Sequence, residues 1–309
     1  MSNKVLIAVV GPTAIGKTAL GILLAKHLET EIISADSRQF FKEMEIGTAV
    51  PSPKELKAVQ HHFIQHKSIF DPYSVGDFEK DALSLLDTLF QKKGVVVMVG
   101  GSGLYVDAVI NGLDEFPEVD PKLRESLNLE LQEKGLEYLQ KELKLRDPDY
   151  YKKVDLDNPH RLIRALEVSI TANRPYSSFL SQNKPERHFK HLYVGIDAPR
   201  QVVYERINTR VDQMMENGLL EEANRLHSHK NLNALQTVGY KELFEYLDGQ
   251  CSLEVAVSEI KKNTRRFAKR QLTWLRKNDR ILWVDHTTNT EQVLKKLNEQ
   301  LKTLTHAQR

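Results

Sequence analysis

Near the start of the 309-residue chain lies a stretch whose residue types can do chemistry, "GPTAIGKT". Gly11, Pro12, Thr13, Ala14, Ile15, Gly16, Lys17 and Thr18 fit the pattern GxxxxGK[ST]. The glycines let backbone N–H groups converge on an anion, and a following helix would add partial positive charge at its N-terminus. Lys17 adds a full charge, and the Thr18 hydroxyl is a ligand for Mg²⁺. The pattern specifies a phosphate and leaves open what carries it.

The second chemical candidate is an acid. An ATPase with such a loop ordinarily places an aspartate at the end of a later core strand to hold the metal. Here that strand runs "VVVMVGGSGLY" and ends in glycines and Ser102. The acid at a strand end is instead Asp36, in "IISADSRQFF". A carboxylate there faces the crevice above the loop and can serve an acceptor substrate as general base. His61, His62 and His66 are loosely spaced with no cysteine nearby. They are expected to pack beside the crevice and not to hold metal.

Buried parallel strands are expected at Val5–Val10, Glu31–Ala35, Val95–Val99, Leu192–Ile196 and Ile281–Val284. Helical periodicity falls at Thr18–Leu28, Asp77–Phe90 and Pro199–His227. The alternation predicts an α/β fold, a P-loop-containing doubly wound parallel sheet core. Between "DEFPEVDP" and "SQNKPERH" the pattern turns helical, with breaks at Asp147-Pro148 and Asn158-Pro159. This predicts a helical insertion domain at 113–190, between core segments 1–112 and 191–309.

Hydrophobic residues make up 40% and charged residues 28% of the chain, as in an ordinary globular protein. No apolar run approaches ~18 residues, so no membrane partner is expected. The start, "MSNKVLIAVVGPT", does not fit a cleavable signal. Cys251 is the only cysteine, which fits a reducing cytoplasm. Net charge is +2, yet residues 258–280 hold nine Lys/Arg against Glu259 and Asp279. On a helical wheel of Ile260–Arg280, Lys262, Arg266, Lys269, Arg276 and Arg280 share one face, with Ile260, Phe267, Trp274 and Leu275 opposite. A polyanionic partner suits the basic face.

"GPTAIGKT", "ISADSRQFFKEMEIGTAVPS", "HHFI", "DPYSVGDF", "GGSGLY", "PHRLIRALEV", "GLLEE", "TVGYKE" and "KRQLTWLR" stand in the order found in bacterial tRNA dimethylallyltransferases. The chain resembles that family over most of residues 5–285. The resemblance implies transfer of a dimethylallyl group from dimethylallyl diphosphate to the exocyclic amine of the adenosine 3′ of the anticodon. It implies diphosphate in the loop, with Mg²⁺ at Thr18 and N–H groups from Thr13 to Thr18 directed at it. It also implies Arg210 on the diphosphate, Asp36 as base, and a catalytic hydroxyl at Ser102, where many relatives have threonine. For tRNA it implies contacts from Asp36, Ser37, Arg38, Gln39, Ser102 and Arg124. Further tRNA contacts are implied at His160, Arg161, Leu162, Ile163 and Arg164, with histidine where the family has glutamine. The last stretch is Gln236, Thr237, Val238, Gly239, Tyr240 and Lys241. The partners expected are tRNA and dimethylallyl diphosphate, and no obligate protein partner is evident.

Apart from the resemblance, Lys17, Thr18 and Asp36 also suit a small-molecule kinase using ATP. A non-catalytic RNA-binding module with a nucleotide-sensing loop is a third reading, which leaves Asp36 without a role.

Overall fold

In the computed structural model, residues 4–180 and 185–306 are described. Six parallel strands form one sheet in the order β3-β2-β4-β1-β5-β6. They are β1 (Val5–Val10), β2 (Ile32–Ser34), β3 (His61–His62), β4 (Val95–Val99), β5 (Lys190–Asp197) and β6 (Ile281–Asp285). The central strand β1 is buried along its whole length. Leu6, Ala8 and Val10 point into one apolar layer, while Val5, Ile7 and Val9 point into the other. Alternate residues of a strand face opposite sides, so a sheet covered on both faces needs an unbroken apolar run.

The helices before the insertion are α1 (Lys17–His27), α2 (Pro53–Ala58), α3 (Val75–Leu89) and α4 (Gly103–Asn111). Leu20, Leu24 and Ala25 of α1 pack on one face of the sheet, and Phe78, Ala82 and Leu86 of α3 on the other. A reciprocal pair of bonds between Ser74 and Asp77 caps α3. After the insertion come α9 (Arg200–Glu216), α10 (Leu219–Leu226), α11 (Tyr240–Leu247), α12 (Leu253–Leu275) and α13 (Thr290–His306).

The chain divides into two compact units. One comprises residues 1–110 and 187–309 and holds the sheet; the other is Asn111–Glu186. The second unit contains α5 (Pro121–Lys134), α6 (Leu136–Arg146), α7 (Pro148–Tyr151) and α8 (Pro159–Ala172) around Leu127, Leu139, Leu143, Leu162 and Leu166. Asp120, Asp147 and Asn158 cap α5, α7 and α8, each followed by proline at the first helical position. Of the stretch "SQNKPERH", residues 181–184 lie outside the described residues.

Two sequence expectations change, and one strand was not anticipated. The helix expected over Pro199–His227 is two helices, because Gly218 has φ +96° and breaks it between α9 and α10. The strand β3 at His61–His62 is too short to show a period in the sequence. The basic helix begins at Leu253 behind a Ser252 cap and ends at Leu275, so Arg280 lies outside it. Its buried stripe is Ala256, Ile260, Ala268, Gln271 and Leu275, while Phe267 is 39% exposed and not packed on the core. No helix among the described residues is long and apolar enough to cross a membrane.

Candidate active site

The connections from β1 and β4 leave on opposite faces of the sheet, through α1 and α4, which opens a crevice at their carboxyl ends. Three segments converge there. The phosphate loop follows β1, Asp36 follows β2, and Gly100–Ser102 follow β4. The Ala35 N–H donates to the Val99 carbonyl at 2.8 Å, so the second and third segments run side by side.

Gly16 has φ +108° and ψ 20°, a left-handed turn that aims the first N–H groups of α1 into the loop. The Lys17 ammonium donates to the Pro12 carbonyl at 2.9 Å. Burial lowers the Lys17 pKa to about 8, opposed by the Asp36 charge and assisted by Arg210. Burial likewise lowers the pKa of Arg210, and again Asp36 opposes it. A third cation, Arg38, is held down by burial, with Tyr105 and Asp36 acting in the other direction. One carboxylate thus lies among three partly desolvated cations drawn from three segments of the chain. Such clustering of perturbed groups in a crevice marks a functional site.

Around Asp36 the bonds are local. Its Oδ1 accepts from the Arg38 N–H at 3.1 Å. The Ser37 N–H donates to Ser102 Oγ at 3.2 Å, and the two hydroxyls share a bond of 3.2 Å. Ser102 is thereby fixed beside the segment that carries Asp36. Arg38 donates to the Asn233 and Ala234 carbonyls at 3.0 and 2.9 Å. Gln39 donates to the Ala49 carbonyl at 2.9 Å and so secures the loop after it.

Several residues expected on tRNA are engaged within the fold. Leu162 and Ile163 are buried in the helical unit because their positions on α8 face its core. The Tyr240 ring is fully buried. Its hydroxyl donates to Glu222, and burial beside that carboxylate raises its pKa well above the usual phenol value. Gly239 is buried, and its N–H donates to Glu242 at 2.8 Å. Arg124 grips the buried Glu167 carboxylate through Nε and Nη2 at 2.7 and 2.6 Å, and Arg164 donates to it at 2.6 Å. His160 and Arg161 on α8 are exposed, as are Gln236 and Lys241. Thr237 and Val238 are half-buried. The Thr13 N–H does not face the loop interior but donates to Gln271 Oε1 at 2.9 Å.

The histidines pack at the sheet edge. His62 bonds Glu31 at 2.6 Å. His66 lies among the rings of Phe40, Phe63 and Tyr73, and burial lowers its pKa to about 4.

Sequence reading missed three residues. Arg206, one helical turn before Arg210 on α9, donates to the Ile15 carbonyl at 3.0 Å. Glu222 accepts from the N–H groups of Glu45, Ile46 and Gly47 at 2.9–3.1 Å. Gln271 contacts the phosphate loop from α12. One signal was available: a polar Gln271 on the stripe that otherwise holds Ala268 and Leu275.

The basic helix carries a groove of about 460 Å³ lined by Arg266, Lys269, Arg270, Thr273, Trp274 and Lys277. The Arg270 guanidinium lies 5.7 Å from the centre of the Phe267 ring. Other cations of this helix are engaged within the chain: Lys261 with Asp212, Lys262 with Glu259, and Arg265 with Asn208.

Known proteins share this arrangement of segments. The family model described as IPP transferase matches residues 39–278. The chain is 60% identical to the tRNA dimethylallyltransferase of Christiangramia forsetii, covering 98% of this chain and 100% of that one. It is 54% identical to the tRNA dimethylallyltransferase of Flavobacterium johnsoniae, covering 97% and 99%. Among solved structures, the full-length tRNA isopentenylpyrophosphate transferase from Bacillus halodurans is similar with a TM-score of 0.72. That pair is 35% identical, covering 99% of this chain and 100% of the other. A match that begins just after Asp36 and covers Gly100–Ser102, with relatives aligned along nearly the full chain, shows that this protein belongs to the IPP transferase family.

Proposed function

We propose that this chain transfers a dimethylallyl group from dimethylallyl diphosphate to the exocyclic amine of the adenosine just 3′ of a tRNA anticodon. The observation that carries this reading is the Asp36 carboxylate set among Lys17, Arg210 and Arg38 at the carboxyl ends of the strands. As the amine nitrogen bonds the allylic carbon, the carbon–oxygen bond to diphosphate breaks and charge grows on the leaving group. Lys17, Arg210 and the N-terminus of α1 stabilise that charge more as it develops, which lowers the barrier. An adenine amine is a poor nucleophile, since its lone pair is delocalised into the ring. Asp36 takes the proton it sheds on attack, and Ser102 fixes the segment that aims Asp36.

Among the described residues no three His, Cys, Asp or Glu side chains form a metal cage. Mg²⁺ on a diphosphate needs only one or two protein ligands, the rest being phosphate oxygens and water. The Thr18 hydroxyl, half-buried at the second position of α1, fits that requirement. When bound, the ion would neutralise part of the diphosphate charge.

The target adenosine has to leave the anticodon-loop stack to be reached. The helical unit is proposed to hold the anticodon loop through exposed His160 and Arg161, while Lys269, Arg270 and Lys277 meet RNA phosphates. No obligate protein partner is proposed, and the reaction is placed where tRNA is, in the cytoplasm.

Purified protein incubated with dimethylallyl diphosphate and tRNA should add one prenyl unit to the RNA by mass spectrometry, and ATP should not substitute. Phosphate transfer from ATP, with no prenylation, would sink the reading. Asp36→Ala should lower turnover on the order of 10²–10⁴-fold; unchanged turnover removes Asp36 as the base.

A further inference from the structure

One peptide group of the phosphate loop is held at both ends. The Pro12 carbonyl accepts from the Lys17 ammonium at 2.9 Å, and the N–H of the same peptide unit, that of Thr13, donates to Gln271 Oε1 at 2.9 Å. Gln271 in turn donates from Nε2 to the Gly101 carbonyl at 2.9 Å. An N–H on one side and a carbonyl on the other fix which way the amide points, because only its oxygen can accept and only its nitrogen can donate. The side chain is nearly buried, 258 residues along the chain from the loop it touches.

The glycines after β4 make room for this contact. A Cβ on Gly101 would lie 2.6 Å from Gln271 Nε2, and one on Gly103 would lie 2.7 Å from the Trp274 ring. "GGSG" therefore supplies the seat for α12, where an ATPase would supply a metal-binding acid. The loop also needs an external hold. Ala14, next to Thr13, has φ +64°, a conformation that non-glycine residues keep only when their surroundings impose it.

We propose that Gln271 is a positioning residue for diphosphate binding. It locks the Pro12–Thr13 peptide plane so that the carbonyl stays on Lys17 and the following N–H groups, from Gly16 to Thr18, stay directed at the ligand. Without it the plane can turn, placing a carbonyl dipole toward the anion and releasing Lys17 from its partner. The inference rests on the proposed reading that this loop binds the diphosphate of the donor. It also ties the cradle to the helix that carries the basic groove, since Gln271 and Trp274 lie one turn apart on α12.

The test is Gln271→Met, which keeps length and bulk but neither bond. Inorganic diphosphate affinity is read by calorimetry, KM and kcat for dimethylallyl diphosphate by transfer to tRNA, and tRNA affinity by fluorescence anisotropy. The inference expects diphosphate affinity to fall and KM to rise roughly tenfold, with kcat lowered as well and tRNA affinity within about twofold of the parent. Wild-type diphosphate affinity in a folded Gln271→Met overturns it, as does a kcat loss with KM unchanged. Should that variant fail to fold, Gly101→Ala displaces the same amide and must weaken diphosphate binding; unaltered binding there overturns the inference equally. If the unmodified protein binds diphosphate but prenylates no tRNA, the functional reading fails, while the effect of Gln271→Met on diphosphate affinity still decides the role of Gln271.

Discussion

The Tyr240 hydroxyl donates to Glu222 Oε1 at 2.6 Å, and both side chains are buried. The carboxylate also accepts from three successive N–H groups of the loop after Gln39, those of Glu45, Ile46 and Gly47. A Cβ on Gly47 would lie 2.6 Å from the Tyr240 ring, so ring and loop touch as well. "GLLEE" and "TVGYKE" thereby anchor the segment that carries Asp36.

Glu222→Ala should therefore cost stability, since one buried hydroxyl and three partly buried N–H groups lose their acceptor together. The expected loss is about 3 kcal/mol by denaturant unfolding, against about 1 kcal/mol for Tyr240→Phe, which removes one bond. Equal losses would mean that the carboxylate does not organise the loop.

Lys17 gives a pH dependence with a definite sign. In the free protein its pKa is lowered to about 8, so its charge is present below that pH and lost above it. Inorganic diphosphate affinity, corrected for the ligand's own titration, should weaken as pH rises through about 8. Lys17→Arg keeps its charge in that range and should show no break there. A break that persists in Lys17→Arg would assign the titration to another group.

In the helical unit, the arginines proposed to meet RNA differ in what they bond within the chain. Arg124 and Arg164 neutralise the buried Glu167 carboxylate, whereas Arg161 is exposed. Glu167→Ala should lower the stability of this unit by about 1 kcal/mol, since two partly exposed arginines lose their partner but can hydrate. Arg161→Ala should leave thermal stability unchanged and weaken tRNA binding several-fold. Unchanged tRNA affinity in Arg161→Ala would remove that residue from the interface.

The basic groove predicts a salt effect. Each phosphate that a variant leaves unneutralised should reduce the slope of log affinity against log salt by roughly 0.7–0.9. Removing the charges of Lys269 and Arg270 together should flatten the tRNA slope by nearly twice that amount. Lys262→Ala, whose cation already pairs with Glu259, should leave it unchanged. Identical slopes in all three proteins would make the groove ordinary solvated surface.

What the sequence determined by itself was local. The apolar run of β1, the glycines and Lys17 of the loop, and the capped helix starts are set by residues within a few positions of one another, where spacing and backbone preference suffice. Doubly wound order followed from strand–helix alternation, and Asp36 stood out as an acid at a strand end. Where spacing was asked to decide a helix face, it put Phe267 on the wrong side, because the seat of α12 is set by Gly101 and Gly103 and not by a wheel. Tertiary structure alone decided that Gln271 holds Thr13, that Glu222 holds residues 45–47, and that Leu162 and Tyr240 are core. These bonds join residues up to 258 positions apart. A buried polar group must find a partner, but which partner is available depends on how the strands are ordered in space.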